Sequence, residues 1–125
     1  MKKIINTSKA PSPIGPYSQA VLVGNTLYTS GQIAINPATN ELVTSTIKEE
    51  TKMVMENLNA VLEAADMNFS HVVKCSIFIS NMNDFAQINE VYGSYFTSDF
   101  PARETVQVAC LPKNLNVEIS AVAIK

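Results

Sequence analysis

The run Val72-Val73-Lys74-Cys75-Ser76-Ile77-Phe78-Ile79 places the tightest limit on what this chain can become. Apolar β-formers dominate both of its alternating faces, so it reads as a central strand of a covered sheet. The cover is written on either side of it. Upstream, Ile47, Val54, Leu58, Val61, Leu62 and Ala65 recur at helical spacing and form one apolar stripe. Thr46 with Glu49 three residues later has the pattern of a capping box that opens that helix. Downstream, Asp84 with Gln87 suggests a second helix start, and Phe85, Ile88, Tyr92, Tyr95 and Phe96 follow on one face. Asn89 falls among them without an obvious partner.

The remaining strands lie at the two ends. Gln19-Ala20-Val21-Leu22-Val23 and Thr26-Leu27-Tyr28-Thr29-Ser30 flank Gly24-Asn25, a two-residue connection that tolerates positive φ, and together predict a hairpin. Residues 105–110 and 116–124 predict two more strands around Leu111-Pro112-Lys113-Asn114-Leu115. The order is ββαβαββ: one α/β (α+β) domain with a mixed sheet and two helices on one face. At 125 residues there is room for a single core, and a 46% apolar content fits it.

Charge and cysteine usage narrow the partners. A net charge of -2 with no cluster of Lys or Arg argues against nucleic acid, whose phosphates need several positive contacts. Met1-Lys2-Lys3-Ile4-Ile5 meets Asn6-Thr7-Ser8 too soon for the apolar part of a signal peptide, and no later run approaches membrane-spanning length, so a cytoplasmic setting is expected. Cys75 and Cys110 sit in separate β-type runs, which suits reduced, buried thiols. His71 is the only histidine, so no metal site is expected.

Two charged residues stand out against this background. In Phe100-Pro101-Ala102-Arg103-Glu104-Thr105, the proline stops any preceding helix and puts Arg103 where loop becomes strand. Its planar fork of N–H donors suits a ligand carboxylate, although pairing with Glu104 or Asp99 on the surface is the plainer use. The second is Glu118, at the start of the last strand. Helix-linked strands run parallel through right-handed crossovers, and the last strand, after a short loop, runs against them. Glu118 should then lie near Ser30 and Gly31, at the carboxyl ends of the parallel strands, where such sheets present ligand sites.

Arg103 belongs at the opposite edge, several residues away at about 3.3 Å each. If the two act together, the simplest arrangement is a cleft between subunits, with Arg103 from one chain and Glu118 from the next. Apolar residues on both faces of 117–124 also ask for cover beyond two helices. The segment 10–17, with three prolines and a glycine, is an ordered irregular stretch that positions Tyr17, either for a site or as a loop aromatic packed on the core.

Gly15-Pro16-Tyr17-Ser18-Gln19-Ala20, Tyr28-Thr29-Ser30-Gly31-Gln32, Phe100-Pro101-Ala102-Arg103, Leu111-Pro112-Lys113 and Val117-Glu118-Ile119 resemble, in order and over essentially the whole chain, the RidA (YjgF-type) reactive-intermediate deaminase family. The resemblance implies a chorismate-mutase-like fold and a homotrimer with three clefts between subunits. It also implies hydrolysis of 2-imino acids or their enamine tautomers to 2-oxo acids and ammonia, without metal or organic cofactor. Arg103 matches the family arginine that holds the substrate carboxylate, and Glu118 the glutamate that positions water. Tyr17, Ser30, Gly31 and Asn89 match pocket positions. Thr105 stands where many members have cysteine, and its backbone N–H can still serve. The competing reading is a non-catalytic trimer that binds small carboxylates. RNA cleavage, sometimes attached to this family, has little support from the charge balance and the lone His71.

Overall fold

The computed structural model describes residues 1–125. Its strands are β1 (Lys2–Ile5), β2 (Ala20–Val23), β3 (Thr26–Thr29), β4 (Val72–Ile79), β5 (Ala102–Gln107) and β6 (Val117–Ile124), with helices α1 (Ile47–Ala64) and α2 (Phe85–Gly93). The expected order ββαβαββ therefore omits one strand. β1 pairs antiparallel with β2, and Ile5 is buried while Lys2, Lys3 and Ile4 are exposed. An edge strand so short, with lysines on it, carries little hydrophobic periodicity, and only β2 makes it a strand.

The sheet runs β1-β2-β3-β6-β4-β5. β6 lies antiparallel between β3 and β4, and β4 is parallel to β5, so β3, β4 and β5 share one direction as expected. Along β6, Val117, Ile119, Ala121 and Ala123 are buried, whereas Glu118, Ser120, Val122 and Ile124 point the other way. The buried set joins Val54, Leu58, Val61 and Leu62 of α1, Ile88 and Tyr92 of α2, and Cys75, Ile77 and Ile79 of β4 in one core. Each large aliphatic side chain fully buried there stabilises the fold by roughly 1.5–3 kcal/mol.

Both helices cover this face, and the other is open. Tyr28 and Val106 are 52% and 40% exposed on it. β4 therefore does not meet cover on both sides within one chain: Lys74, Ser76 and Phe78 on the open side are only half-buried.

The helix starts differ in detail from the sequence reading. Thr46 Oγ1 accepts from the Glu49 N–H at 3.1 Å, which is the N-cap half of the expected box. Asp84 makes no side-chain cap; a single 3-10 turn, Met82–Asp84, leads into α2, and Asn81 caps that turn through the Asn83 N–H. α2 stops at Gly93, so Tyr95 and Phe96 lie beyond it, where Phe96 packs on Tyr92. Cys75 is buried as expected, but Cys110 is exposed, because β5 ends at Gln107 and the thiol lies in the following loop.

Glu50 ties the second half of the fold to α1. This buried carboxylate accepts from Asn116 N (2.6 Å), Asn116 Nδ2 (2.8 Å) and Val117 N (3.1 Å). The start of β6 is thereby fixed from the helix side, one residue before Glu118.

Candidate active site

A fault in the sheet makes the Glu118 pocket. Tyr28 pairs with Val122, but the next pairing is Gln32 with Ile119, four residues along one chain segment against three along the other. The extra residue loops out at Ser30 and Gly31, a bulge of the kind that re-aims side chains beside ligand sites. The Glu118 carboxyl fills the space this opens. A Cβ on Gly31 would lie 2.6 Å from Glu118 Cδ and 2.8 Å from Cγ, so only glycine permits the arrangement. The bare backbone of Gly31 thus makes room for the glutamate.

Ser30 is fixed from the opposite side: its Oγ donates to Ser18 O at 2.5 Å and its N–H to Gln19 O at 2.9 Å. Tyr17 is half-exposed, with its hydroxyl accepting from Ile14 N–H at 3.3 Å. Tyr17, Ser30, Gly31 and Glu118 line one cavity of about 330 Å³, with Ile14, Ile33 and Pro112 as its apolar wall. Pro112 arrives on a turn in which Lys113 and Asn114 take positive φ (57° and 55°). Burial raises the Glu118 carboxyl above the usual carboxylate range, and no cation from the same chain forms a salt bridge with it.

Arg103 lies elsewhere. It is the second residue of β5, so the strand begins before it and not at Thr105 as the sequence suggested. It pairs in register with Cys75, on the helix-covered side of the sheet, whereas Glu118 pairs with Phe78 on the open side. The two residues are thus divided by the thickness of the sheet as well as by distance along it. The guanidinium carbon sits 5.6 Å from the Phe85 ring centroid and 5.1 Å from that of Tyr92, and Nη1 donates to Asn89 Oδ1 at 2.7 Å.

Phe85, Asn89 and Tyr92 are one face of α2 by spacing, so a single helix supplies the whole cradle. The sequence showed these residues at helical spacing but gave no partner for Asn89; that partner is Arg103. Neither salt bridge of the chain involves Arg103. Glu104, the plainer candidate, faces the open side, bonded to Ser76 Oγ and to Lys74 Nζ at 2.9 Å. Those contacts, the Ser76 hydrogen bond first, hold its carboxyl below the usual range.

A second cavity of about 300 Å³ opens over Arg103 and Asn89, walled by Tyr92, Gly93, Phe100 and Pro101. Thr105, two residues on, has a buried Oγ1 with no hydrogen-bond partner. A larger hollow, about 420 Å³ beside Phe69, Tyr95 and Phe96, contains none of the candidate residues. His71 serves locally, its Nδ1 accepting from Asn68 N–H at 3.0 Å. One chain therefore holds an oriented cation in no salt bridge and, apart from it, a desolvated carboxyl in none either.

Comparison with known proteins places the chain in a family. The family described as Endoribonuclease L-PSP matches residues 7–125. A 2-iminobutanoate/2-iminopropanoate deaminase of Dermatophagoides farinae is 55% identical over 123 residues, covering 98% of this chain and 96% of that protein. The Homo sapiens protein of the same name is 48% identical over 125 residues, covering 100% of this chain and 91% of its own. A crystal structure of YyfA, a Rid-family protein from Yersinia pestis, superposes with a TM-score of 0.97 at 47% identity, covering 100% of both chains. The chain belongs to the YjgF/RidA family.

Proposed function

We propose that this protein hydrolyses reactive 2-imino acids and their enamine tautomers to 2-oxo acids and ammonia. The substrates are small: 2-iminopropanoate and 2-iminobutanoate, formed from 2-aminoacrylate and 2-aminocrotonate. The observation that carries the reading is Arg103 itself, a guanidinium oriented by two rings and an amide yet paired with no carboxylate of its own chain. Full-length relatives bearing the deaminase name support the same activity.

In this reading the protein is a homotrimer, and each site joins Arg103 of one subunit to Glu118 of the next. The open sheet face, with Tyr28, Phe78, Val106 and Val122 on it, is the surface that assembly covers. Arg103, with Asn89 and the Thr105 backbone N–H beside it, grips the substrate carboxylate. Tyr17 relays the proton that converts enamine to imine, and Ser30 and Gly31 shape the pocket.

Glu118 then holds a water against C2 of the protonated imine. As the water oxygen bonds to C2, the C=N electron pair moves to nitrogen and a water proton passes to the Glu118 carboxylate. Glu118 returns that proton to nitrogen, the C–N bond breaks towards the amine, and the remaining hydroxyl proton follows it, leaving the 2-oxo acid and ammonium. No electron is gained or lost overall, so the chemistry calls for no redox cofactor. Acid–base assistance of this kind accelerates such a step roughly a hundredfold to ten-thousandfold. The proposed setting is the cytoplasm; no helix is long and apolar enough to cross a membrane.

The test is ammonia release from an amino-acid-derived imine. Arg103→Ala should abolish the acceleration with the fold intact, and an unchanged rate would remove the proposal. Glu118→Gln separates catalysis from mere binding: an enzyme loses turnover and still binds 2-oxo acids, whereas a carboxylate-binding protein has no turnover to lose.

A further inference from the structure

We propose that Ile14 sets which substrate side chains are accepted, an inference that rests on the imine-hydrolase reading of the Glu118 pocket. Three cavities meet at this residue. The first is the chamber of about 330 Å³ that holds Tyr17, Gly31 and Glu118. The second, about 270 Å³, is bounded by Pro11, Ser12, Ile35, Asn40, Leu42 and Lys113. A third hollow of only about 30 Å³, the neck, shares Tyr17, Gly31 and Ile33 with the first and Pro11, Ser12 and Ile35 with the second. Ile14 borders all three.

Ile14 is 64% exposed, so its side chain borders these spaces and not the core. It is held there by a stiff frame. Its N–H donates to Tyr17 Oη at 3.3 Å, and Pro13 and Pro16 flank it. At the base of the loop the buried Gln19 amide accepts from Thr7 N–H (2.7 Å) and donates to Thr7 O (3.0 Å) and Pro11 O (2.9 Å). A residue held this firmly at the junction of two chambers acts as a fixed wall.

The size of the neck states the rule. At about 30 Å³ against about 330 and 270 Å³ for the two chambers, the neck is the narrowest of the three spaces beside Ile14, so the bulk of the entering group decides the fit. The methyl or ethyl group of a small imino acid fits, and a branched chain stops at Ile14. Ile14→Ala joins the chambers, whose further wall is apolar at Ile35 and Leu42.

The experiment compares kcat/KM for imines generated in place from alanine, 2-aminobutanoate and leucine by an amino-acid oxidase. Ile14→Ala should shift the ratio towards the leucine-derived imine by on the order of tenfold or more. Ile14→Phe should shift it the other way, against the 2-aminobutanoate-derived imine relative to the alanine-derived one. Loss in equal proportion on all three, as a slackened loop would give, overturns the inference. Calorimetric affinities for 2-oxobutanoate and 4-methyl-2-oxopentanoate supply an independent readout. If the parent turns over no imine but the affinity ratio moves with Ile14, the hydrolase reading falls and the wall stands; if neither ratio moves, the wall falls.

Discussion

Gly31 and Glu118 occupy adjoining space so closely that a single methyl on the first would lie 2.6 Å from the carboxyl carbon of the second. The bulge in β3's continuation, the glycine and the acid are one device, and the backbone at Gly31 needs no positive φ to build it.

Gly31→Ala should therefore be an activity mutation more than a folding one. The carboxyl is the far end of a flexible side chain and can swing aside, so Tm should move by only a few degrees while kcat falls tenfold or more, an effect of about 1.4 kcal/mol or greater on the barrier. In a Glu118→Ala background the same substitution should cost almost nothing further. Additive losses in that double-mutant cycle would break the link between the two residues.

The cradle of Arg103 makes a separate prediction. Tyr92 Oη is buried beside the Cys75 thiol without a well-formed hydrogen bond, and burial raises both groups above their ordinary pKa values. Tyr92→Phe keeps the ring over the guanidinium and removes an unsatisfied hydroxyl, so stability and kcat/KM should each stay within about 1 kcal/mol of the parent. Tyr92→Ala removes the ring and should raise KM, since the carboxylate grip is lost before the water-handling side of the site. Denaturant unfolding and steady-state kinetics on both variants check this.

Assembly should depend on pH in a definite direction. Burial in the isolated chain raises the Glu118 carboxyl, and a neighbouring subunit's guanidinium would favour its ionised form, so its pKa falls on association. Sign follows from linkage: association releases protons, strengthens as pH rises through the raised Glu118 value, and weakens below it. Sedimentation of dilute protein between pH 7 and about pH 4 should show dissociation on the acid side. Glu118→Gln should flatten that dependence. A variant with an undiminished slope would mean that another group carries it.

Glu50 offers a test of the scaffold. Its carboxylate satisfies three donors at the start of β6, and Glu50→Ala takes that acceptor from the buried Val117 N–H and the half-buried Asn116. Hydrogen bonds to a charged group are worth roughly 1.5–3 kcal/mol, so unfolding free energy should drop by at least that much. A loss below about 0.5 kcal/mol would show that the three donors find other acceptors.

Local residue patterns made much of this legible. The stripe from Ile47 to Ala65, the Gly24-Asn25 turn and the alternation along 117–124 each have a period that one kind of element satisfies, and crossover handedness then ordered the strand directions. β1 was hidden because its four residues carry no such period and exist as a strand only against β2. The Phe85, Asn89 and Tyr92 cradle was half visible: the spacing showed one helix face, but nothing local said that Arg103 would lie against it. Nothing in the sequence singled out Ile14, because the meeting of cavities has no sequence signature.

By itself the sequence determined the two helices, every strand but β1, their directions and the separation of Arg103 from Glu118, because side-chain periodicity and chain reach are local properties of a polypeptide. Only the tertiary structure decided that the two residues lie on opposite faces of the sheet, that the acid lies in the hollow left by a glycine bulge, and that an aromatic pair aims the cation. Those outcomes depend on register, and a shift of one residue in a strand exchanges its faces at no change in composition.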